Sequence, residues 1–224
     1  MFVGEGPKLL AEAVKWGADL ETVICTAGAD LPQLPESVRI IEVPDDLLRS
    51  VSDTESPQGV IFLCKMPSCT VPNQFDGKRY LVLDGVQDPG NVGTIWRTAD
   101  AFGADGLILC GGCADPWSPK TVRSTMGAAF RLPVYEGTLE QVIEKLSMAG
   151  IPLYATALRD DTVDVREVDL SRSAVIIGSE GRGISELALS LCSKTVKIPM
   201  TDRCESLNAG IAAGVVLWEM FRPN

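Results

Sequence analysis

The stretch Val175-Ile-Ile-Gly-Ser-Glu-Gly-Arg-Gly-Ile184 places an apolar run directly before a glycine-rich loop. This order predicts a buried strand, then a loop, then a helix. The loop is either a simple tight turn or a cradle whose backbone amides hold a nucleotide-like ligand. Its glycines follow GxxGxG, not the GxGxxG of dinucleotide-binding proteins. Because Glu180 would repel a pyrophosphate, a neutral or cationic ligand fits this loop better.

Strands and helices alternate on both sides of this stretch, which predicts an α/β protein with a mostly parallel sheet covered on both faces. Sheets of this kind bind ligands at the loops that follow the carboxyl ends of their strands. Strands are predicted over residues 80–83, 106–110, 132–135, 151–155, 174–178 and 194–198, and helices over residues 92–102, 119–129, 139–149, 184–191 and 207–221.

The first part of the chain forms a separate pattern. A linker rich in Pro and Gly over residues 66–77 predicts a boundary between a small α/β unit, residues 1–73, and a larger unit, residues 74–224. The small unit is predicted to hold helices and short strands; the helices lie over residues 7–16 and 45–51, and the strands over residues 22–26, 38–43 and 59–64.

Composition excludes several classes of protein. The chain contains no His, which excludes Ser-His-Asp and Cys-His catalysis and HExxH zinc sites, and no metal is expected. Seven Cys make a disulfide framework improbable, so the thiols, including the Cys110-Gly-Gly-Cys113 pair, are interpreted as structural rather than as a redox or metal site. With no signal-peptide pattern and no long apolar stretch, a cytoplasmic protein is expected, with an organelle matrix as the alternative.

Two further loops follow predicted strands and carry polar residues. Asn91 is predicted to cap the helix that bears Arg97, which is either an ordinary surface residue or an anion contact. Ser206 is predicted to cap the last helix, with Asn208 in its first turn. These two residues are either a structural cap or part of a site, because an Asn at an apolar helix start needs partners.

The last predicted helix is apolar nearly all round and rich in small residues such as Ala209, Gly210, Ala213 and Gly214. A helix that is apolar on every face is buried. In a chain of 224 residues, this predicts a subunit interface in addition to the core, and hence a homodimer.

Together these loops resemble the SpoU (TrmH) family of RNA ribose 2′-O-methyltransferases, within the SPOUT superfamily. The resemblance covers about residues 76–222, and residues 1–64 more weakly resemble the small substrate-binding domain of many members, including Ser56-Pro-Gln-Gly59. The segments that carry the resemblance are residues 91–99 (NxGxxxRxA), 118–128, 178–184 and 198–208.

The resemblance implies a trefoil knot over about residues 172–222 and a homodimer through the C-terminal helix. It also implies S-adenosylmethionine as the cofactor. By carry-over from the family, the cofactor pocket is lined by Thr156, Ala157, Ile177, Gly178, Ser179, Glu180, Gly181, Gly183, Ile198, Met200, Ser206 and Leu207.

The implied reaction is attack of a ribose 2′-OH on the methyl group of the cofactor. Arg97 is implied as the essential catalytic residue, and we expect it to hold a phosphate and stabilise the developing alkoxide, since Arg stays protonated. Asn91 is expected to orient Arg97 or the ribose, and Glu180 to fix the loop and Arg97. Ser206 and Asn208 complete the implied catalytic set.

RNA is the implied partner, with Arg97, Lys120 and Arg123 placed to touch its phosphates. The net charge of −10 is unusual for such a protein, so positive charge must be local. Large-subunit ribosomal RNA is the favoured substrate, and transfer RNA is the alternative. A non-catalytic RNA-binding or assembly protein and a nucleotide-dependent oxidoreductase are the competing classes.

Overall fold

A computed structural model describes residues 1–159, 161–204 and 206–222, and it divides their strands between two sheets. The first sheet has four strands in the order β1-β4-β2-β3 and carries helices α1 and α2. The elements are β1 (Phe2–Glu5), α1 (Pro7–Lys15), β2 (Leu20–Cys25), β3 (Arg39–Glu42), α2 (Asp45–Val51) and β4 (Val60–Cys64). Strand β1 was not predicted; it contains Gly4, a residue type that disfavours strands, and it pairs antiparallel with β4.

The second sheet has seven strands in the order β7-β6-β5-β10-β8-β11-β9, and the described pairings between its strands are all parallel. The prediction of an α/β protein with a mostly parallel sheet is therefore confirmed. The strands are β5 (Arg79–Asp84), β6 (Gly106–Cys110), β7 (Val134–Glu136), β8 (Leu153–Thr156), β9 (Val163–Asp164), β10 (Ser173–Gly178) and β11 (Lys194–Lys197).

Helices cover both faces of this sheet. They are α3 (Pro89–Phe102), α4 (Pro119–Ser124), α5 (Leu139–Met148), α6 (Glu186–Leu191) and α7 (Ala209–Met220). Alternate residues of β5 serve the two faces. Leu81 packs in the core beneath α3 and α7, whereas Val82 packs in the core beneath α5 and α6. This alternation is what a strand buried on both faces requires.

The caps of two helices differ from the predictions. Asp88, not Asn91, is the N-cap of α3, since Pro89 suits the first helical position and the Asp88 carboxylate accepts from the Asn91 amide at 2.9 Å. Asn208, not Ser206, caps α7, where its Oδ1 accepts from the Gly210 amide at 2.9 Å. Ser206 lies two residues before this cap, so the prediction that it caps α7 is wrong.

Helix α4 is also shorter than the predicted span of 119–129. It ends at Ser124, after which Met126 has φ 50° and Gly127 has φ 92°, both in the left-handed region. A short 3₁₀ turn, Ala128–Phe130, follows. The left-handed conformation thus begins at Met126, which adopts it with strain, and continues at Gly127, which adopts it without steric cost.

The two sheets share one continuous apolar core. Phe2 of β1 packs against Trp117, with ring centroids 4.7 Å apart, and Trp117 packs edge-on against Trp96 of α3 at 5.6 Å. The buried Trp96 indole donates to the Leu132 carbonyl at 3.0 Å. The small unit is therefore anchored on the α3 and α4 side of the large sheet through buried aromatic contacts.

Helix α7 lies against α3 through small residues. A Cβ on Gly210 would lie 3.4 Å from Thr94, and one on Gly214 would lie 3.9 Å from Thr98. One face of α7 stays outside the core, because Ile211 is 59% exposed and Trp218 is 63% exposed in the single chain. In the part of the chain that the structure describes, no helix combines the length and the apolar character needed to cross a lipid bilayer.

Candidate active site

A cavity of about 610 Å³ opens at the carboxyl ends of β8, β10 and β11, which are neighbours in the sheet. We name it the strand-end cavity. All twelve residues assigned to the cofactor by the resemblance line it: Thr156, Ala157, Ile177, Gly178, Ser179, Glu180, Gly181, Gly183, Ile198, Met200, Ser206 and Leu207. Ten further residues line it, namely Leu158, Arg159, Arg182, Ile184, Glu186, Leu189, Val196, Lys197, Ala209 and Ala212.

The glycine-rich loop of this cavity is closed by its own backbone. Ser179 and Gly183 exchange two amide-to-carbonyl hydrogen bonds of 3.0 Å each, and the Ser179 hydroxyl accepts from the Arg182 amide at 3.2 Å. A Cβ on Gly178 would lie 2.3 Å from the Gly183 backbone, whereas one on Gly181 would meet nothing within 4 Å. Gly178 therefore permits the close approach, and Gly181 leaves the loop surface open.

Three polar side chains from distant parts of the chain form a directed series of hydrogen bonds beside the cavity. The side-chain Nδ2 of Asn208 donates to Asn91 Oδ1 at 3.1 Å. The side-chain Nδ2 of Asn91 in turn donates to Glu180 Oε1 at 2.6 Å. Asn208 Oδ1 is already bound to the amino end of α7. Because this fixes the orientation of the Asn208 amide, it also fixes which atom of Asn91 faces Glu180.

Asp84 is a positioning residue that the sequence reasoning did not single out. It is only 7% exposed, and its carboxylate accepts from the Ser185 amide at 2.8 Å. Ser185 is the N-cap of α6, which explains why α6 begins at Glu186 and not at residue 184 as predicted. Asp84 is the last residue of the apolar strand β5, and a charged residue at the end of such a strand is the sequence feature that could have identified it.

Arg97 lies apart from the strand-end cavity. Its side chain is exposed and lines a larger cleft between the two sheets, together with Arg123. The expected contact between Glu180 and Arg97 is not formed, since the carboxylate of Glu180 is bound to Asn91 instead. Arg97 stands nearly two turns beyond Asn91 on α3, which is too far along the helix for their side chains to lie side by side.

The two other predicted RNA contacts are held in ion pairs at the protein surface. Lys120 lies 3.3 Å from Asp88, and Arg123 lies 3.3 Å from Asp53 of the small unit. Exposed pairs of this kind contribute little stability. Their cations therefore stay available to an incoming phosphate.

The seven cysteines are all unpaired thiols. Burial raises the pKa of the Cys110 thiol to about 12 and also raises the pKa of Cys113, whose Sγ donates to the Cys110 carbonyl at 3.1 Å. Neutral thiols that donate to backbone carbonyls suit a structural role. Among residues 1–159, 161–204 and 206–222, no group of three or more Cys, Asp or Glu side chains is arranged to hold a metal ion.

The chemistry of the strand-end cavity fits S-adenosylmethionine. Its walls include apolar side chains such as Ile177, Val196 and Ile198, suited to a flat ring system. The backbone of residues 179–183 supplies polar groups, and the carboxylate of Glu180 lies where a cationic group is favoured. The volume is also in the range of about 300–1,000 Å³ found for small-ligand pockets.

Comparison with known proteins agrees with this geometry. The model of the SpoU rRNA Methylase family matches residues 78–218, and the model of the MRM3-like substrate binding domain matches residues 1–61. The 23S rRNA (guanosine(2553)-2′-O)-methyltransferase RlmP of Bacillus subtilis is 32% identical over 221 residues, which cover 98% of this chain and 88% of that protein.

Two further proteins are similar over nearly the whole chain. The 23S rRNA (uridine(2479)-2′-O)-methyltransferase of Streptomyces viridochromogenes is 32% identical, covering 99% of this chain and 82% of that protein. The crystal structure of an AdoMet-bound rRNA methyltransferase from Sinorhizobium meliloti superimposes with a TM-score of 0.86 at 33% identity, covering 98% of this chain and 86% of that one.

Proposed function

Because the chain belongs to the SpoU rRNA Methylase family, we propose that it methylates a ribose 2′-OH of large-subunit ribosomal RNA. S-adenosylmethionine is the methyl donor, and when bound it supplies a methyl group already activated on a sulfonium. The observation that carries the proposal is the strand-end cavity, where all twelve residues assigned to the cofactor meet. The ribosomal RNA substrate is supported by the names of the similar proteins of Bacillus and Streptomyces.

In this proposal, the series formed by Glu180, Asn91 and Asn208 holds the glycine-rich loop against the start of α7. Ser206 and Leu207 lie on the segment that enters α7 and line the cavity opposite that loop. These residues orient the cofactor so that its methyl group faces the RNA. Correct orientation is the main contribution that a protein makes to a transfer from an activated donor.

Arg97 is the proposed catalytic residue. Its guanidinium is exposed in the cleft, so an RNA phosphate can reach it. A guanidinium remains protonated at neutral pH, and it would hold that phosphate with two parallel hydrogen bonds while stabilising the charge that develops on the 2′-oxygen. Lys120 and Arg123 would contact neighbouring phosphates after leaving their surface ion pairs.

We also propose the finer organisation. Residues 1–73 would form an RNA substrate-binding domain, and residues 74–224 would form the methyltransferase domain with a trefoil knot over about residues 172–222. The small-unit assignment is supported by the match of residues 1–61 to a substrate-binding domain. Unpaired cysteines suit a reducing compartment, and we place the protein in the cytoplasm.

A homodimer through α7 is part of the proposal. Ile211 and Trp218 are the exposed apolar residues of that helix, and they lie seven residues apart, on the same side. The Trp218 ring packs edge-on against Phe102 of α3 with centroids 6.1 Å apart. The resulting apolar surface spans two helices and would be covered by the same surface of a second copy.

Transfer of tritiated methyl groups from S-adenosylmethionine tests the function. Undermodified ribosomal RNA and unmodified transfer RNA are offered in parallel to wild type, to Arg97→Ala and to Arg49→Ala, a control whose arginine is exposed on α2. We expect label in ribosomal RNA with wild type and the control, and a loss of about 100-fold or more with Arg97→Ala.

Label in transfer RNA alone would reassign the substrate. Absence of label in both RNAs would contradict the enzymatic proposal and favour a non-catalytic RNA-binding or assembly protein.

A further inference from the structure

The cleft that contains Arg97 is the larger of the two sites, with a volume of about 930 Å³. We name it the inter-sheet cleft. Helix α1 and residues 54–58 of the small unit line one side, and α3, α4 and the turn after α4 line the other. Its cations are Lys8, Arg97, Arg123 and Arg131, and its carboxylates are Glu5, Glu12 and Asp100.

The carboxylates of the inter-sheet cleft are all engaged. Arg131 forms ion pairs with Glu12 and, at 2.8 Å, with Asp100. Glu5 accepts hydrogen bonds from the Ser52 hydroxyl at 3.0 Å and from the Asp53 amide at 2.7 Å. These acidic groups therefore hold the small unit together and join it to the large one.

Two cations of the cleft have no such partner. Lys8 of the small unit and Arg97 of the large unit both line the cleft, and neither forms an ion pair within residues 1–159, 161–204 and 206–222. Lys8 also lies in the first turn of α1, where no described side chain caps the helix and the backbone potential is positive. Each unit thus contributes to the cleft one cation that forms no ion pair among the described residues.

A third cation of the cleft, Arg123, forms an ion pair with a carboxylate that would compete with an RNA phosphate. Asp53 binds Arg123 at 3.3 Å, and both side chains are partly exposed, so the pair is weak and a phosphate can replace the carboxylate. Met126 lies beside Arg123 in the cleft with a strained backbone, and its side chain is 55% exposed. Backbone strain that holds an apolar side chain open to solvent is common at ligand sites.

We propose that the inter-sheet cleft binds an unpaired stretch of the RNA substrate. Lys8 and Arg97 bind its phosphates from opposite sides, an unstacked base packs on Met126, and Asp53 competes with the RNA for Arg123. An unpaired stretch fits because its bases can be splayed into a cleft of this size, whereas a duplex keeps them stacked. The inference rests on the proposed function for the nature of the RNA.

The first test compares Lys8→Ala with Lys15→Ala. Both lysines are exposed on α1, but Lys15 lies at the other end of the helix, outside the cleft. Binding of an unmodified large-subunit ribosomal RNA transcript is measured by filter retention over a range of salt concentrations. Lys8→Ala should weaken binding about fivefold and reduce the salt slope by about 1, as expected for one lost phosphate contact. Lys15→Ala should behave as wild type.

The second test compares Asp53→Asn with Asp19→Asn. Each change removes the charge of a small-unit carboxylate that forms an exposed ion pair. Asp53 pairs with Arg123 of the cleft, whereas Asp19 pairs with Lys65 outside it. Asp53→Asn should tighten RNA binding about threefold, because Arg123 no longer has to give up its ion pair with the Asp53 carboxylate before it binds a phosphate. An equal effect of both variants would show that only net charge matters and would overturn the competition.

These tests are independent of methyl transfer. If wild type methylates ribosomal RNA but Lys8→Ala binds it with unchanged affinity and salt slope, the cleft proposal fails and the proposed function stands. If no RNA is methylated but Lys8→Ala and Asp53→Asn shift binding in opposite directions, the cleft proposal stands and the catalytic role fails. Thermal melting of each variant verifies that the fold is retained.

Discussion

The strand-end cavity and the inter-sheet cleft are built in different ways. In the cavity, the glycine-rich loop and the series of Asn208, Asn91 and Glu180 are held by hydrogen bonds to the backbone or to each other. In the cleft, charged side chains are paired at the surface or have no ion-pair partner among the described residues, as with Arg123 and Lys8. The cavity is therefore pre-organised for one ligand, whereas the cleft can exchange its partners and should respond to salt.

The largest loss of activity should come from a substitution that displaces the glycine-rich loop. In Gly178→Ala the new Cβ would lie 2.3 Å from the Gly183 backbone, so the loop must move. A displacement of about 1 Å at a reacting centre costs about 100-fold, and we expect that loss in kcat/KM together with weaker cofactor binding. Titration calorimetry with S-adenosylmethionine checks the binding, and RNA affinity should stay unchanged.

Gly181→Ala is the matched comparison for this loop, since its Cβ meets nothing within 4 Å. It should keep the melting temperature of the ligand-free protein. If Gly178→Ala binds the cofactor as tightly as wild type, the loop is not pre-organised as described.

The second change acts on the cleft and spares the cavity. Arg97→Lys keeps the positive charge but loses the planar pair of donors, so we expect methyl transfer to fall about 30-fold. RNA affinity should change less than twofold, since one charge still faces the phosphate. Single-turnover methyl transfer at saturating cofactor measures the effect. Activity near that of wild type would mean that charge alone suffices.

The third change removes a charge from the cavity and keeps its shape. In Glu180→Gln the side chain can still accept from Asn91, but the cationic cofactor loses its carboxylate. Because Glu180 is exposed, solvent screens it, and we expect about fivefold weaker cofactor binding that converges with wild type at high salt. Glu144→Gln, on the exposed face of α5, is the control. A loss that persists at high salt would indicate a shape effect.

The smallest expected effect distinguishes the ligands of the two sites. Cys204 is exposed, and its Sγ donates to the Ser206 carbonyl at 3.0 Å, next to the cavity. S-adenosylmethionine should slow its alkylation about threefold by ordering this segment, as ligands stabilise what they bind. RNA should slow it less. Equal protection by both ligands would show that the two sites are not separate.

The same labelling has an internal reference. Burial raises the pKa of Cys64 and of Cys110 to about 12, so both thiols should remain unlabelled in the folded protein at pH 8. A raised folded-state pKa stabilises the protein below the unfolded value of about 9, and this contribution is lost as the pH rises toward 12. The melting temperature should therefore fall above pH 9.

Local sequence predicted most of the elements, and the resemblance to the SpoU family supplied the residues assigned to the strand-end cavity. Periodicity located the parallel strands because runs buried on both faces are apolar throughout, and the three polar loops followed those runs in order. Strand β1 was missed because Gly4 interrupts its apolar residues, and strand β9 was missed because it has only two residues. The helix caps were misplaced because each loop offered more than one suitable residue, such as Asp88 and Asn91.

What only the tertiary structure decided is which groups face each other. Asn91, Glu180 and Asn208 are up to 117 residues apart, and their hydrogen bonds depend on how β10 and α7 pack beside α3. The separation of Arg97 from Glu180 and the pairing of Arg123 with Asp53 arise in the same way. Sequence specifies local conformation through short-range sterics and periodicity, whereas such pairings follow from burial of the whole core.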